Sequence, residues 1–132
     1  MADWGPGIYE NDDTMDWIYD LLDSGGISRV KRALDIVEEE GAEDVDIADC
    51  RIALAAADLV AALDGDVNPN LPTEAEEWLT LINKPASNLR AKAEEVVRDI
   101  LQSSPLKVYF KTNGKFPEWK LMMESLLKRL EL

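Results

Sequence analysis

The stretch that decides the fold is residues 46–64, which read DIADCRIALAAADLVAALD. Wound as a helix, this segment carries apolar side chains around almost its whole circumference, which is typical of a helix buried on all sides. Its many alanines favour helix formation and allow neighbouring helices to approach closely. We therefore expect residues 46–64 to form the central helix of an all-α protein.

Before this segment, the spacing of apolar residues predicts two further helices. The first covers residues 14–22 and is stopped by Gly25 and Gly26. The second is capped by Ser28 and ends at Gly41. Together with the central segment, these helices account for the first half of the chain.

After the central segment, two more amphipathic helices are expected. Thr73 begins one of them in a capping box with Glu76, and Pro85 follows its end. Ser87 or Asn88 caps the next, which carries a single apolar stripe.

The last part of the chain contains one ambiguous segment. Ser104 and Pro105 form a cap followed by a first-turn proline, so residues 106–110 are a short helix or, by their β-branched and aromatic content, a strand. Pro117 opens the final helix. The sequence thus predicts one domain over residues 1–132, a compact bundle of about six helices around the alanine-rich one.

The beginning of the chain has an unusual composition for a terminus. Residues 3–17 contain two tryptophans, one tyrosine and two glycines around Pro6, together with several carboxylates. The aromatic residues favour burial, and glycine permits backbone angles that other residues avoid. We expect an ordered turn docked on the bundle, and its structural positions are Trp4, Gly5, Gly7, Tyr9, Asp16 and Trp17.

The net charge of −13 is unevenly distributed along the chain. Residues 1–66 carry 18 carboxylates and 4 basic side chains, a net −14, whereas residues 67–132 carry a net +1. Such a field repels nucleic acid and favours a basic protein partner, although acidity can also serve solubility alone. The candidate partner-binding residues are Glu10, Asp12, Asp13, Glu38, Glu39 and Glu40.

The first of these carboxylates have a simple structural interpretation. Asp12 or Asp13 is a good N-cap for the first helix, and Asp16 then lies in the first turn, where the helix dipole favours negative charge. Carboxylates three and four residues apart can also hold a divalent cation or act as an acid and base pair. Both interpretations remain open at this point.

The connection after the central helix resembles a calcium-binding loop, because oxygen ligands occupy alternate positions. Two positions depart from that pattern: Pro69 replaces the glycine of the sharp turn, and Ala75 replaces the bidentate glutamate. A turn that satisfies its own backbone explains the same residues, so no metal site is predicted. The candidate ligands would be Asp64, Asp66, Asn68 and Asn70.

Catalytic signatures are absent from the sequence. The chain has no histidine, which removes the usual general base and the commonest metal ligand, and it has no phosphate-binding glycine loop. Cys50 has no partner for an intramolecular disulfide, and Asp46 and Asp49 should raise the pKa of its thiol. No catalytic residue or cofactor is predicted. No secretory or membrane-spanning pattern is present either, so a cytoplasmic location is expected.

Three parts of the chain carry recognisable motifs: Trp4-Gly5-x-Gly7-x-Tyr9-Glu10-Asn11-Asp12 with Asp16-Trp17, residues 53–62, and Ser104-x-Leu106 with Trp119 and residues 126–130. Together they resemble a bacterial family of unknown function, domain of unknown function 4259. Two positions depart from the family pattern: Pro6 stands between the glycines, and Tyr109 or Phe110 replaces a tryptophan expected after Leu106. The resemblance implies a small, mostly helical protein without an assigned activity.

These observations favour a cytoplasmic binding or regulatory protein over an enzyme. An acidic immunity or antitoxin-like protein that neutralises a basic partner is the concrete form of this hypothesis. The alternatives are a metal-dependent enzyme that uses the carboxylates of residues 10–16, and a structural or self-assembling protein. The oligomeric state does not follow from the sequence.

Overall fold

A computed structural model of the chain describes residues 5–131 and confirms the all-α class. Seven α-helices are present in this part of the chain, and it contains no strand. A 3₁₀ turn, Ser87–Leu89, precedes the fifth helix. The helices are α1 (Asp12–Ser24), α2 (Ile27–Glu40), α3 (Ile47–Leu63), α4 (Thr73–Ile82), α5 (Arg90–Gln102), α6 (Pro105–Thr112) and α7 (Phe116–Leu130).

The sixth helix, α6, contains the segment whose type the sequence left open. Residues 106–110 lie in α6, where the Ser104 hydroxyl accepts a hydrogen bond from the Lys107 backbone N–H at 3.1 Å. Pro105 occupies the first turn, where its missing N–H has no consequence. This cap and proline favour a helix over a strand. The described residues therefore form seven α-helices, whereas the sequence predicts about six.

Helix α3 is the centre of the bundle, as predicted. It contacts all six other helices. Five of its alanines, Ala53, Ala55, Ala56, Ala57 and Ala61, are fully buried. Their small side chains explain how so many neighbours approach one helix.

Several predicted helix caps are wrong, although the helices themselves are present. Asn11, not Asp12 or Asp13, is the N-cap of α1, and its Oδ1 accepts a hydrogen bond from the Thr14 N–H at 2.8 Å. Helix α2 begins after Gly26 without a side-chain cap, so Ser28 lies inside the helix.

The expected capping box of α4 does not form. Pro72 precedes the helix and Thr73 is its first residue, so the Thr73 hydroxyl is past the capping position. Ser87 and Asn88 form the 3₁₀ turn, and α5 begins only at Arg90.

The N-terminal turn docks on the bundle as expected. Ile8 and Tyr9 are buried, Trp17 is half-buried against the core, and Asp16 is exposed. The predicted packing of Trp4 lies outside the described residues.

Within residues 5–131, none of the helices combines the length and apolar character that crossing a membrane requires. This agrees with the absence of a spanning pattern in the sequence.

The close packing of α3 predicts the effect of enlarging one of its alanines. Ala56→Leu should lower the free energy of unfolding by about 1–3 kcal/mol, because the added atoms have no space. Ala91→Leu, at an exposed position of α5, is the matched control and should change stability by about 0.5 kcal/mol or less. Urea unfolding followed by circular dichroism measures both. Equal effects of the two substitutions would contradict the central position of α3.

Candidate functional site

The most unusual group of the core is the carboxylate of Asp58, which is completely buried in the middle of α3. Its Oδ2 accepts a hydrogen bond from the Tyr9 hydroxyl at 2.7 Å and a longer one from Asn68 Nδ2 at 3.5 Å. Its Oδ1 lies 2.6 Å from Nη2 of Arg129 in an ion pair. Asp58 therefore joins the N-terminal turn, the loop after α3 and the end of α7.

This environment changes the acidity of Tyr9. Burial raises the pKa of its hydroxyl well above the usual range, and the charge and hydrogen bond of Asp58 raise it further. The positive charge of Arg129 acts in the opposite direction. Tyr9 therefore stays protonated and continues to donate to Asp58.

A second ion pair fixes the end of α7. Nη1 of Arg90 lies 3.1 Å from Oδ2 of Asp64, and both side chains are almost buried. The same guanidinium donates hydrogen bonds to the last carbonyl groups of the chain that the structure describes, and so caps the helix and holds it against the end of α3. These acceptors are the carbonyl oxygens of Arg129 at 2.9 Å, Leu130 at 3.2 Å and Glu131 at 2.5 Å.

A cleft of about 470 Å³ with both polar and apolar lining lies next to the Asp58 network. Three segments line it: residues 7–10 of the N-terminal turn, residues 68–70 of the loop after α3, and one side of α7. From α7 it receives Met122, Ser125 and Arg129. The cleft thus lies where the three segments that Asp58 connects come together.

The glycines of the N-terminal turn leave room for the carboxylate of Glu10. The Gly7 N–H donates to Glu10 Oε1 at 2.9 Å, and a Cβ atom added at Gly5 would lie 2.9 Å from the same oxygen. Unusual backbone angles are not the reason for these glycines. The glycines with positive φ, among the residues described, are Gly41, Gly65 and Gly114.

The four oxygen-bearing residues of the calcium-like segment do not point to a common centre. Asp64 binds Arg90, and Asp66 is exposed. Asn68 Oδ1 accepts a hydrogen bond from the Asn70 N–H at 2.8 Å, which is the local turn that the Asn/Asp/Pro composition predicts. In residues 5–131 we find no group of three or more carboxylate or thiol side chains arranged to hold a metal ion.

The predicted partner-binding carboxylates at the N-terminus are separated in space. Glu10 lines the cleft, whereas Asp13 forms an ion pair with Arg51 at 3.5 Å. Arg51 also lies over the ring of Tyr109. Asp12 is exposed on α1.

The three glutamates at the end of α2 differ in their surroundings. Glu38 pairs with Lys92 of α5 at 3.1 Å, and Glu39 pairs with Arg32 at 3.1 Å, so their charges are partly neutralised within the chain. Glu40 is exposed. Lys92 also pairs with Asp35, and the hydrogen bonds from Lys31 and then Lys92 lower the pKa of that carboxyl group.

A different acidic surface stands out on α1. Its exposed side carries Tyr19, which is 51% exposed, and several carboxylates around it. No residue of the described chain forms an ion pair with these carboxylates. We call this surface the α1 acidic face. Tyr19, Asp20 and Asp23 are not among the partner-binding residues predicted from the sequence, although the spacing of three and four residues indicates a common side of the helix. The face consists of Asp12, Asp16, Tyr19, Asp20 and Asp23.

Cys50 is completely buried at the start of α3, as the sequence indicates. Burial is the main reason that the pKa of its thiol rises to about 11, and the charges of Asp46 and Asp49 contribute less. Contacts from Leu106 and Ser104 act in the opposite direction.

This environment predicts a protected thiol. At about pH 8, Cys50 should react with a disulfide reagent at least ~100-fold more slowly in the native protein than in urea, because both thiolate content and access are reduced. The release of the coloured thiol measures the rate. Comparable rates in the two states would contradict the burial.

The raised pKa of Tyr9 predicts a specific loss of stability in alkali. The folded state holds the Tyr9 proton more tightly than the unfolded state, so this contribution is complete below about pH 10 and decreases as the pH rises further. Tyr9→Phe should be less stable than wild type by about 1–3 kcal/mol near pH 8, because Asp58 loses a hydrogen bond, and the difference should shrink in alkali.

Urea unfolding between about pH 8 and pH 11 measures this difference. Tyr19→Phe is the matched control, since Tyr19 is half exposed and forms no such bond in the described chain. A stability difference between Tyr9→Phe and wild type that stays constant with pH would contradict the prediction.

Comparison with known families identifies the chain. Residues 3–121 match the family described as domain of unknown function (DUF4259), and the chain belongs to this family. The match includes the N-terminal turn, α3 and the first part of α7, whereas the α7 residues of the cleft, Met122, Ser125 and Arg129, lie beyond it. No curated protein and no solved structure matches the chain.

Proposed function

We propose that this member of the DUF4259 family is a binding or regulatory protein that uses the α1 acidic face to bind a basic protein. In its concrete form, it is an immunity or antitoxin-like protein that neutralises a cationic toxin. The observation that carries the proposal is a row of exposed carboxylates around an exposed tyrosine, without any ion pair from the described part of the chain.

The arrangement of charges on α1 is unfavourable for the isolated helix. Asp12, Asp16 and Asp20 follow one another at intervals of four residues, and like charges at this spacing destabilise a helix by about 0.2–0.5 kcal/mol per pair. Asp20 and Asp23 also lie towards the C-terminal end, where the helix dipole disfavours negative charge. A basic partner would relieve both effects.

The acidic surface of α2 differs from that of α1. Asp35, Glu38 and Glu39 on α2 have basic partners within the chain, including Lys92 of α5. Helix α1 itself contains five aspartates and no lysine or arginine. External positive charge therefore gains more at the α1 acidic face than on α2, and it also accelerates association there.

Tyr19 gives this face a specific contact besides its charge. Exposed tyrosine is frequent among the residues that dominate binding energy, because its ring offers a large contact area with little loss of conformational freedom. Its neighbours Asp16, Asp20 and Asp23 can bind the lysine or arginine side chains around a partner's contact point.

No observation favours the metal-dependent enzyme that the sequence left as an alternative. One of the carboxylates that it would need, Asp13, is already paired with Arg51. The exposed Asp12 and Asp16 form part of the proposed binding face instead.

The test is capture of partners from an extract of the native cell, followed by binding measurements with the purified partner. Wild type should retain a basic protein whose affinity decreases with salt, because the contact is electrostatic. The triple variant Asp16→Asn, Asp20→Asn, Asp23→Asn should bind it at least ~10-fold more weakly, a loss of about 1.4 kcal/mol.

A second triple variant controls for the change in net charge. Glu76→Gln, Glu77→Gln, Glu95→Gln removes three exposed carboxylates from other helices and should leave the affinity within about twofold. Retention of no basic protein by wild type, or equal binding by the two triple variants, would refute the proposal.

The toxin-neutralising form has its own test. A toxin-like reading frame adjacent to this gene should arrest growth when expressed alone, and co-expression of wild type or of the control variant should restore growth. If the α1 triple variant also restores growth, neutralisation of the toxin does not use the α1 acidic face.

A further inference from the structure

The cleft beside Asp58 presents a positive group from one wall. Arg129 lines the cleft and its side chain is 17% exposed. An arginine has five N–H donors. Arg129 forms an ion pair with Asp58 Oδ1 and donates a hydrogen bond to the carbonyl oxygen of Asp66. Further donors of the guanidinium are therefore available to a ligand.

A negative group lines the same cleft from another wall. Glu10 is exposed, and its Oε1 accepts the hydrogen bond of the Gly7 N–H. Its Oε2 has no hydrogen-bond partner among the described residues. The glycines at positions 5 and 7 leave the space in which this carboxylate sits.

These two charges select among ligand classes. An anion would bind Arg129 but meet Glu10 and a net charge of −13, whereas a simple cation would bind Glu10 but leave the remaining N–H donors of Arg129 without an acceptor. A molecule with both charges satisfies both walls. We propose that the cleft binds a small zwitterion, with its carboxylate on Arg129 and its ammonium group on Glu10.

The size and remaining lining of the cleft define the ligand further. A volume of about 470 Å³ is in the range of small-molecule sites and admits a molecule of amino-acid or dipeptide size. Ile8 and Met122 offer apolar contacts for its side chain, while Ser125 and Asn70 offer hydrogen-bonding groups.

The buried ion pair provides an independent argument for a site. Apolar residues often stabilise a core as well as a buried ion pair does, so Asp58 and Arg129 are not explained by stability alone. The ion pair with Asp58 fixes the orientation of the Arg129 guanidinium before a ligand binds. This preorganisation reduces the entropy that binding would lose.

The experiment titrates the full chain with L-alanine, L-leucine, L-phenylalanine and L-alanyl-L-alanine. Nuclear magnetic resonance follows the Arg129 Nε–H and the Gly7 N–H. At least one of these zwitterions should give saturable shifts at about 1 mM or below. Its N-acetylated form and its amide, which each lack one charge, should bind at least ~10-fold more weakly.

Matched variants locate the binding. Ser125→Trp at an exposed position should fill the cleft and abolish the shifts, whereas Glu124→Trp, the neighbouring exposed residue that does not line the cleft, should leave them unchanged. Glu10→Gln should weaken the zwitterion about tenfold but should not weaken the N-acetylated form, which is an anion and no longer meets the charge of Glu10. Circular dichroism checks that each variant is folded.

Three results would overturn the proposal: no saturable shift with any zwitterion, equal binding of the singly charged forms, or unchanged binding by Ser125→Trp. The proposal does not rest on the basic protein partner. Zwitterion binding should survive the α1 triple variant, and partner binding should survive Ser125→Trp, so either function can fail alone.

Discussion

The buried carboxylate of Asp58 is the constraint on which the arrangement of the molecule depends. An unpaired charge inside a helical bundle is strongly unfavourable, so partners must be brought to it from elsewhere in the chain. Tyr9, Asn68 and Arg129 supply them, and they belong to the N-terminal turn, the loop after α3 and α7. Hydrophobic burial assembles the bundle, but this network fixes how these three segments meet at one end of α3.

Local features of the sequence predict most of the fold. Residues 46–64 indicate a buried helix because their apolar surface is continuous, and the structure places α3 at Ile47–Leu63. Caps are harder to predict, because neighbouring residues of similar chemistry compete for one position. Asn11 caps α1 in preference to Asp12 and Asp13, whose side chains the same rule equally allows.

The candidate site is less accessible to prediction, because it depends on contacts between distant parts of the chain. In the sequence, Asp58 is simply one polar residue in an alanine-rich helix. Nothing near it predicts the hydrogen bond to Tyr9, which is 49 residues away. The same limit applies to the acidic surface. From the sequence alone Glu38 has no visible basic partner, but the fold places Lys92 of α5 beside it, whereas the carboxylates of the α1 acidic face have no such neighbour within the described chain.

The two proposed binding surfaces share one structural support. Tyr9 anchors the turn to Asp58, the next residue, Glu10, forms a wall of the cleft, and Asn11 then caps α1. The start of α1, where the α1 acidic face begins at Asp12, therefore directly follows the same anchor as the cleft. A ligand that bridges Glu10 and Arg129 would connect the turn to α7 a second time and hold the start of α1 more firmly. Since a rigid surface loses less entropy when it binds a protein, occupancy of the cleft would favour binding at α1.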